Sequence, residues 1–461
     1  MKFINIEKEQ DKMAFPKDFA WGAAAASYQI EGGAYEDGKG LSVWDTMCKT
    51  PGAIADGNTG DIACDHYHRY EEDARIMGEI GLKAYRLSIS WPRVLPEGTG
   101  KINQAGLDFY DRLVDSLIAN GIDPWVTLFH WDFPRELYVK GGWLNRDSAD
   151  WFAEYTAVIV DKLSDRVSNW ITLNEPQCFV GIGHITGVHA PGLKLPQCDS
   201  MLAAHNTLRA HGKAVQTIRA RAKKKPFIGY APVGAIRVPA TNSPEDIEAA
   251  RKLMFSTYGD IWNNVWFSDP MILGHYPEDG LKQYEKDMPE IKSGDMETIH
   301  QPLDFYGYNT YSATNVKATE DGGFEVLKPK PGSPLSDMGW LINPDGLYWG
   351  SKFFYEHYGL PIVVTENGMA NCDRVHLDGK VHDPERIDYI SRYLQALSKA
   401  IDEGVDARGY FVWSIMDNFE WAYGFDKRFG LVYVDYATQK RTLKDSAYWY
   451  KDVIASNGAS I

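Results

Sequence analysis

Two glutamates are the residues whose type and setting could do chemistry. Glu175 lies in Thr172-Leu173-Asn174-Glu175-Pro176, and Glu366 lies in Val364-Thr365-Glu366-Asn367-Gly368. Each ends an apolar, β-like run. Two carboxyl groups that face each other across a pocket can cleave a glycosidic bond. The two acids are far apart in the chain. Only an architecture that gathers strand ends from distant segments can bring them together.

The punctuation of the chain suggests such an architecture. A helical segment, a glycine, an apolar residue and a β-like run recur at Gly81-Leu82, Gly121-Ile122, Gly359-Leu360 and Gly404-Val405. Glycine suits the left-handed position that closes a helix. Before these glycines lie helical stripes. Asn103 is a candidate cap for Leu107, Tyr110, Leu113, Val114, Leu117 and Ile118. Asp383-Pro384 opens a helix with Ile387, Ile390, Leu394, Leu397 and Ile401. Trp151, Phe152, Tyr155, Val158, Ile159 and Leu163 form a third stripe.

Short buried strands are predicted at 19–25, 84–88, 125–129, 170–173, 227–230, 305–308, 362–365 and 410–413. Eight strands alternating with helices imply a parallel sheet, and eight such units imply a closed (β/α)8 barrel. The alternative is an open doubly wound sheet, but no G-x-G-x-x-G motif opens a helix after the first strand. Arg86, His130, Asn174, Glu175, Asn309, Glu366 and Trp413 all fall at or near the C-terminal ends of predicted strands. In a barrel that is one face, where active sites are built. A single polar strand end only meets water; so many on one rim point to a site.

Composition narrows the class. The chain has 461 residues, 44 % of them hydrophobic, with 15 Trp, 26 Tyr and a net charge of −15. Length alone suggests two or three domains, but α/β barrels are exceptions. A single catalytic unit over 1–461, with 1–13 as a short polar extension, is the expectation. The negative charge argues against nucleic acid, which needs a basic face. Lys223-Lys224-Lys225 reads as a solvated helix end. Five cysteines, without C-x-x-C spacing, suggest neither a disulfide framework nor a zinc site. The polar first residues and the lack of a long apolar run point to the cytoplasm, with no membrane partner.

The chain strongly resembles the retaining β-glycosidases of glycoside hydrolase family 1, and within them the β-glucosidases. The resemblance runs from Phe15 to Tyr450. It includes Phe19-Ala20-Trp21-Gly22, Ser27-Tyr28-Gln29-Ile30-Glu31-Gly32, Tyr85-Arg86-Leu87-Ser88-Ile89-Ser90-Trp91 and Leu128-Phe129-His130-Trp131-Asp132. It continues through Asn174-Glu175-Pro176, Asn309-Thr310-Tyr311, Thr365-Glu366-Asn367-Gly368, Trp413-Ser414 and Asn418-Phe419-Glu420-Trp421. Gly33-Ala34-Tyr35 and Leu41 depart from common family wording, around the first loop.

The resemblance implies a (β/α)8 barrel in one domain, with acids after strands four and seven. It makes Glu366 the nucleophile and Glu175 the acid/base, with Arg86, Tyr311 and Asn309 around them. Arg86 is expected to lower the pKa of Glu366, and desolvation and nearby charge to raise that of Glu175. Gln29, His130, Asn174 and Glu420 are the implied partners of sugar hydroxyls. Trp413 would be the floor, Trp421 an edge, and Trp340 the stacking residue at the entrance. Trp131 and Phe429 complete the substrate-binding set. An anionic Glu420 is expected to repel a phosphorylated sugar. Cys178 and His184 are near the mouth, with loop packing the favoured reading for both.

The implied activity is retaining exo-hydrolysis of cellobiose, short β-glucans and aryl or alkyl β-glucosides, with side activity on β-galactosides and β-fucosides. The substrate is small and neutral, and no cofactor or metal is implied. Alternatives are an enzyme tuned to glycosyl transfer and a non-catalytic sugar-binding barrel. The presence of both acids argues against the last.

Overall fold

The apolar runs fold as strands because their β-branched and aromatic side chains fit a surface buried on both faces. In the computed structural model, which describes residues 15–461, they are β1 (Ala20–Ala24), β2 (Ala84–Ser88), β3 (Asp123–Phe129), β4 (Asn169–Asn174), β5 (Phe227–Ala231), β6 (Tyr306–Asn309), β7 (Ile362–Asn367) and β8 (Ala407–Trp413). The 1–13 segment lies outside the described residues. Each strand is followed by a helix: α1 (His66–Ile80), α2 (Gln104–Ala119), α3 (Ser148–Leu163), α4 (Gln197–Arg221), α5 (Val265–Ile272), α6 (Asp345–Tyr358), α7 (Pro384–Asp402) and α8 (Asp445–Ala455).

The strands pair in parallel in the order β5-β4-β3-β2-β1-β8-β7-β6. The β5–β6 seam closes the ring at its ends. The Asp304 N–H donates to Ile228 O at 2.8 Å, the Asn309 N–H donates to Pro232 O at 2.9 Å, and Val233 bridges Asn309 in parallel. The fold is a (β/α)8 barrel.

Aromatic rings fill the interior. Trp125 packs against Phe305 and Phe411, with ring centroids 5.5 and 5.1 Å apart. A Cβ on Gly22 would stand 2.5 Å from the Phe411 ring, and one on Gly229 equally close to Phe305. Large residues fit because small ones face them.

The four helix-closing glycines are left-handed, with φ of 83° at Gly81, 77° at Gly121, 66° at Gly359 and 98° at Gly404. The expected helix stripes are buried except at their edges; Ile118 is 43 % exposed. Neither proposed cap works as expected. Asn103 stands at the start of α2, but its amide donates to Asp37 O and Arg93 O. Asp383 precedes α7, but its carboxylate holds Arg386 and Ser446. Asn103 is held by two carbonyls outside its helix, and Asp383 by Arg386 of its own first turn and by Ser446.

Elements beyond the barrel escaped the sequence reading. A three-stranded sheet (Ile236–Pro239, Ala313–Ala318, Phe324–Val326) grows from the segments after β5 and β6. An antiparallel pair (Val432–Asp435, Lys440–Leu443) follows β8. A π-helical segment, Gln177–Thr186, follows β4; such segments concentrate at functional sites. Among the described residues no helix is long and apolar enough to cross a membrane.

Candidate active site

A cavity of about 650 Å³ opens at the C-terminal end of the barrel, and both Glu175 and Glu366 line it. Glu366 is on β7, beside Asn309, the last residue of β6. Glu175 follows the last residue of β4. Its backbone turns to φ 44°, with its N–H donating to Ala231 O at 2.7 Å. Trp131 (φ 82°) and Trp421 (φ 50°) line the same cavity with left-handed backbones. Such conformations are costly for non-glycine residues and persist only where the surroundings impose them. Here the Trp131 indole donates to Asn174 O at 3.0 Å and packs on Trp421 with centroids 4.6 Å apart.

One hydrogen-bond network joins the two acids. One arm of the Arg86 guanidinium is paired with Glu366 Oε1, and the other donates to Asn174 Oδ1 at 2.5 Å. Tyr311 Oη donates to Glu366 Oε2 at 2.5 Å. Asn309 Nδ2 donates to Asn174 Oδ1 at 2.9 Å and to Glu175 Oε1 at 3.0 Å. The Thr365 hydroxyl donates to Asn309 Oδ1 at 2.6 Å, which sets the orientation of that amide. Because Asn174 Oδ1 accepts from Arg86 and Asn309, its Nδ2 faces His130 Nε2 at 3.0 Å. His130 Nε2 is therefore the acceptor, and the ring proton is on Nδ1.

The environments of the acids differ. Burial, then the charge of Glu366, pushes Glu175 up to about 8; the Asn309 and Cys178 donors only partly offset this. Glu366 is also raised, because burial outweighs the pull of Arg86 and Tyr311. The expectation that Arg86 would bring Glu366 below its ordinary value is thus corrected. What Arg86 does is separate the pair: it bonds directly to Glu366 and acts on Glu175 only from a distance. Glu366 is the easier of the two to ionise.

Glu420 also lines the cavity. Burial, and then the charges of Glu366 and Glu175, raise it to about 8. The expectation of an anionic Glu420 that repels phosphate is corrected too. Its carboxyl holds a proton far more tightly than an ordinary glutamate does, so repulsion of phosphate by a fixed negative charge does not follow.

The cavity wall includes His130, Trp131, Asn309, Tyr311, Trp340, Trp413, Trp421 and Phe429 from the expected set. Tyr311 and Trp340 pack together on one side (5.3 Å between centroids); His130 stacks near Trp413 (5.7 Å) and Trp421 (5.9 Å) on the other. Arg86, Asn174 and Gln29 are buried behind the wall rather than on it. The Gln29 amide donates to Asn418 Oδ1 (3.0 Å) and Phe419 O (2.8 Å), which leaves Oε1 sealed and unpartnered. Glu420 Oε2 is also sealed without a partner. Cys178, read as loop packing, lines the cavity and its Sγ donates to Glu175 Oε2 at 3.2 Å. His184 instead bonds Phe179 O at 2.6 Å and stays in the loop.

Some of the quoted motifs are scaffold. Glu31 accepts from Arg93 Nε at 2.8 Å and from Tyr110 Oη at 2.6 Å. Asp417 holds Lys444 (2.6 Å), Arg428 (2.7 Å) and the Gly430 N–H (2.9 Å), and so anchors the loop that carries Glu420. Sequence reasoning missed Arg237 and Trp262, which line the cavity. The one sequence signal is an arginine inside the apolar run Ala235-Ile236-Arg237-Val238. Among the described residues no group of three or more His, Cys, Asp or Glu is placed to hold a metal ion, and all five cysteines are free.

Residues 11–459 match the sequence model described as "Glycosyl hydrolase family 1". A "Beta-glucosidase A" of Acetivibrio thermocellus is 49 % identical, over 97 % of this chain and 99 % of that relative. A "Bifunctional beta-D-glucosidase/beta-D-fucosidase" of Bifidobacterium breve is 42 % identical, over 97 % and 99 %. Among solved structures, a β-glucosidase from Thermotoga maritima in complex with glucoimidazole superposes with a TM-score of 0.89 at 48 % identity, covering 97 % of this chain and all of that one.

Proposed function

We propose that this chain, which belongs to glycosyl hydrolase family 1, is a β-glucosidase that removes terminal β-D-glucosyl residues with retention of configuration. The observation that carries the reading is the unequal pair. Two buried carboxyl groups line one cavity; one is bonded to an arginine, and the other is protonated to about pH 8.

In this reading Glu366, ionised and steadied by Arg86 and Tyr311, attacks the anomeric carbon. Glu175 passes its proton to the departing glycosidic oxygen. Once Glu366 is esterified to the sugar its negative charge is gone, and one cause of the raised Glu175 value goes with it. Glu175 then takes a proton from water, which attacks the anomeric carbon and frees Glu366. Asn309 orients Glu175 by its 3.0 Å hydrogen bond.

The sugar ring is assigned to the floor over Trp413. The unpartnered Glu420 Oε2 on the cavity wall supports this, because a sugar hydroxyl supplies the hydrogen-bond partner it lacks. The group cleaved off is a neutral β-glucosyl unit, as in cellobiose or an aryl glucoside. Activity on β-fucosides is part of the reading, supported by the bifunctional relative. The whole chain is read as one catalytic unit. Five unbridged cysteines fit the cytoplasm.

The test is a panel of nitrophenyl β-glycosides with cellobiose and lactose, run on the protein and on Glu366→Ala. Glucosides should be cleaved and the variant should be inactive. Undiminished hydrolysis by Glu366→Ala would remove the nucleophile from the scheme.

A further inference from the structure

Arg237 lines the catalytic cavity, on the accessory strand Ile236–Pro239. Val233 bridges the last residue of β6 and so marks the barrel rim. Arg237 is four residues further on, at most about 13 Å of extended chain. Arg237 is therefore in the part of the cavity wall that the accessory sheet adds beyond the barrel strands.

Its condition is unusual for a partly buried arginine. Arg86, Arg93 and Arg386 are each paired with a carboxylate. Among the described residues the Arg237 side chain has no ion pair, hydrogen bond or aromatic ring to stack on. Its Nε is sealed from solvent without a partner, and burial alone depresses its pKa. Asp260, near this wall in sequence, is turned to the Trp262 N–H at 2.7 Å. A half-buried guanidinium with no counter-charge and one sealed nitrogen is left short of a partner, and an anion in the cavity would supply it. Arg237 is also the one lysine or arginine in the cavity wall among the described residues. The acids are at the floor, so an anionic group on the substrate fits only the mouth.

We propose that Arg237 selects β-glucosides whose aglycone carries a carboxylate, which it holds at the mouth while the glucosyl ring occupies the floor. The planar fork of the guanidinium matches the two oxygens of a carboxylate. Trp262 and Trp340, both in the cavity wall, suit an aromatic body between the carboxylate and the glycosidic oxygen. The inference rests on the β-glucosidase reading and adds its preferred substrate class.

The experiment compares 4-carboxyphenyl β-D-glucoside with its neutral methyl ester, for the unaltered protein and for Arg237→Gln and Arg237→Lys. Leaving-group differences cancel in the ratio between proteins. KM for the carboxylate should rise about tenfold in Arg237→Gln, the size of one charge-assisted hydrogen bond, with kcat little changed. Arg237→Lys should restore part of the loss, and the ester should respond little. An equal response of the two substrates to Arg237→Gln would overturn the inference and leave the glucosidase reading standing. Failure of the unaltered protein to cleave either substrate would overturn both.

Discussion

Asn309 donates to Glu175 across 3.0 Å, and its own backbone is the sheet neighbour of Glu366. One residue thus ties together acids from two remote segments. Their titrations belong to the pair, since a proton on one changes the field at the other.

That coupling sets a pH profile. The active form needs Glu366 ionised and Glu175 protonated. kcat/KM should fall on the alkaline side near pH 8, where Glu175 loses its proton, and on the acid side as Glu366 gains one. Glu366→Gln removes the neighbouring charge, so the Glu175 value should move down. Carbon-13 NMR of labelled glutamates would follow it; an unmoved value would contradict the coupling.

Glu175→Ala should slow cleavage of cellobiose and alkyl glucosides by about 10²–10⁴-fold. A dinitrophenyl glucoside, whose leaving group needs no proton, should lose far less in glycosylation. Equal losses for both substrates would exclude proton donation by Glu175.

Cys178 Sγ is 3.2 Å from Glu175 Oε2, and its donation favours the ionised carboxyl. Cys178→Ala should therefore raise the Glu175 value and carry the alkaline limb upward by up to about one pH unit. A packing role alone would lower stability and leave the limb in place.

Glu175, Glu420 and Asp132 are each raised to about 8 by burial. A folded value above the unfolded one means that the folded state holds more protons. The stability these groups contribute is complete below about pH 4, the ordinary unfolded carboxyl range, and is lost as pH rises through 8. Glu420→Gln should accordingly stabilise the protein at pH 8 by about 1 kcal/mol or more, at the expense of activity. Thermal melts at pH 5 and pH 8 test the sign: the gain should be larger at pH 8.

Lys444 is fully buried between Asp373 and Asp417. Lys444→Met leaves both carboxylates without that partner and should cost about 3–5 kcal/mol. The midpoint of urea unfolding would report the loss. Because Asp417 anchors the Glu420 loop, KM should rise as well.

Much of the barrel was legible because its signals are local. Left-handed glycines, apolar stripes and short β-rich runs depend on neighbours a few residues away, so β2 matches its predicted span of 84–88 and the four glycines close helices. The accessory strands were not legible. Ile236–Pro239 has a single turn of polar–apolar alternation, and its partner Ala313–Ala318 arrives from beyond β6. The Asn103 and Asp383 caps failed for a related reason. A cap is a local motif, but backbone carbonyls at Asp37 and Arg93 hold one side chain, and Arg386 and Ser446 the other.

By itself, the sequence determined which residue types stand at the ends of eight strands, and hence that two glutamates and an arginine share one rim. Tertiary structure alone decided how those groups titrate and what they touch. Desolvation and Coulomb forces act through space between segments remote in the chain. So Glu366 is raised despite Arg86, Glu420 is raised to about 8, Cys178 faces Glu175, and Arg237 stands unpaired in the cavity wall.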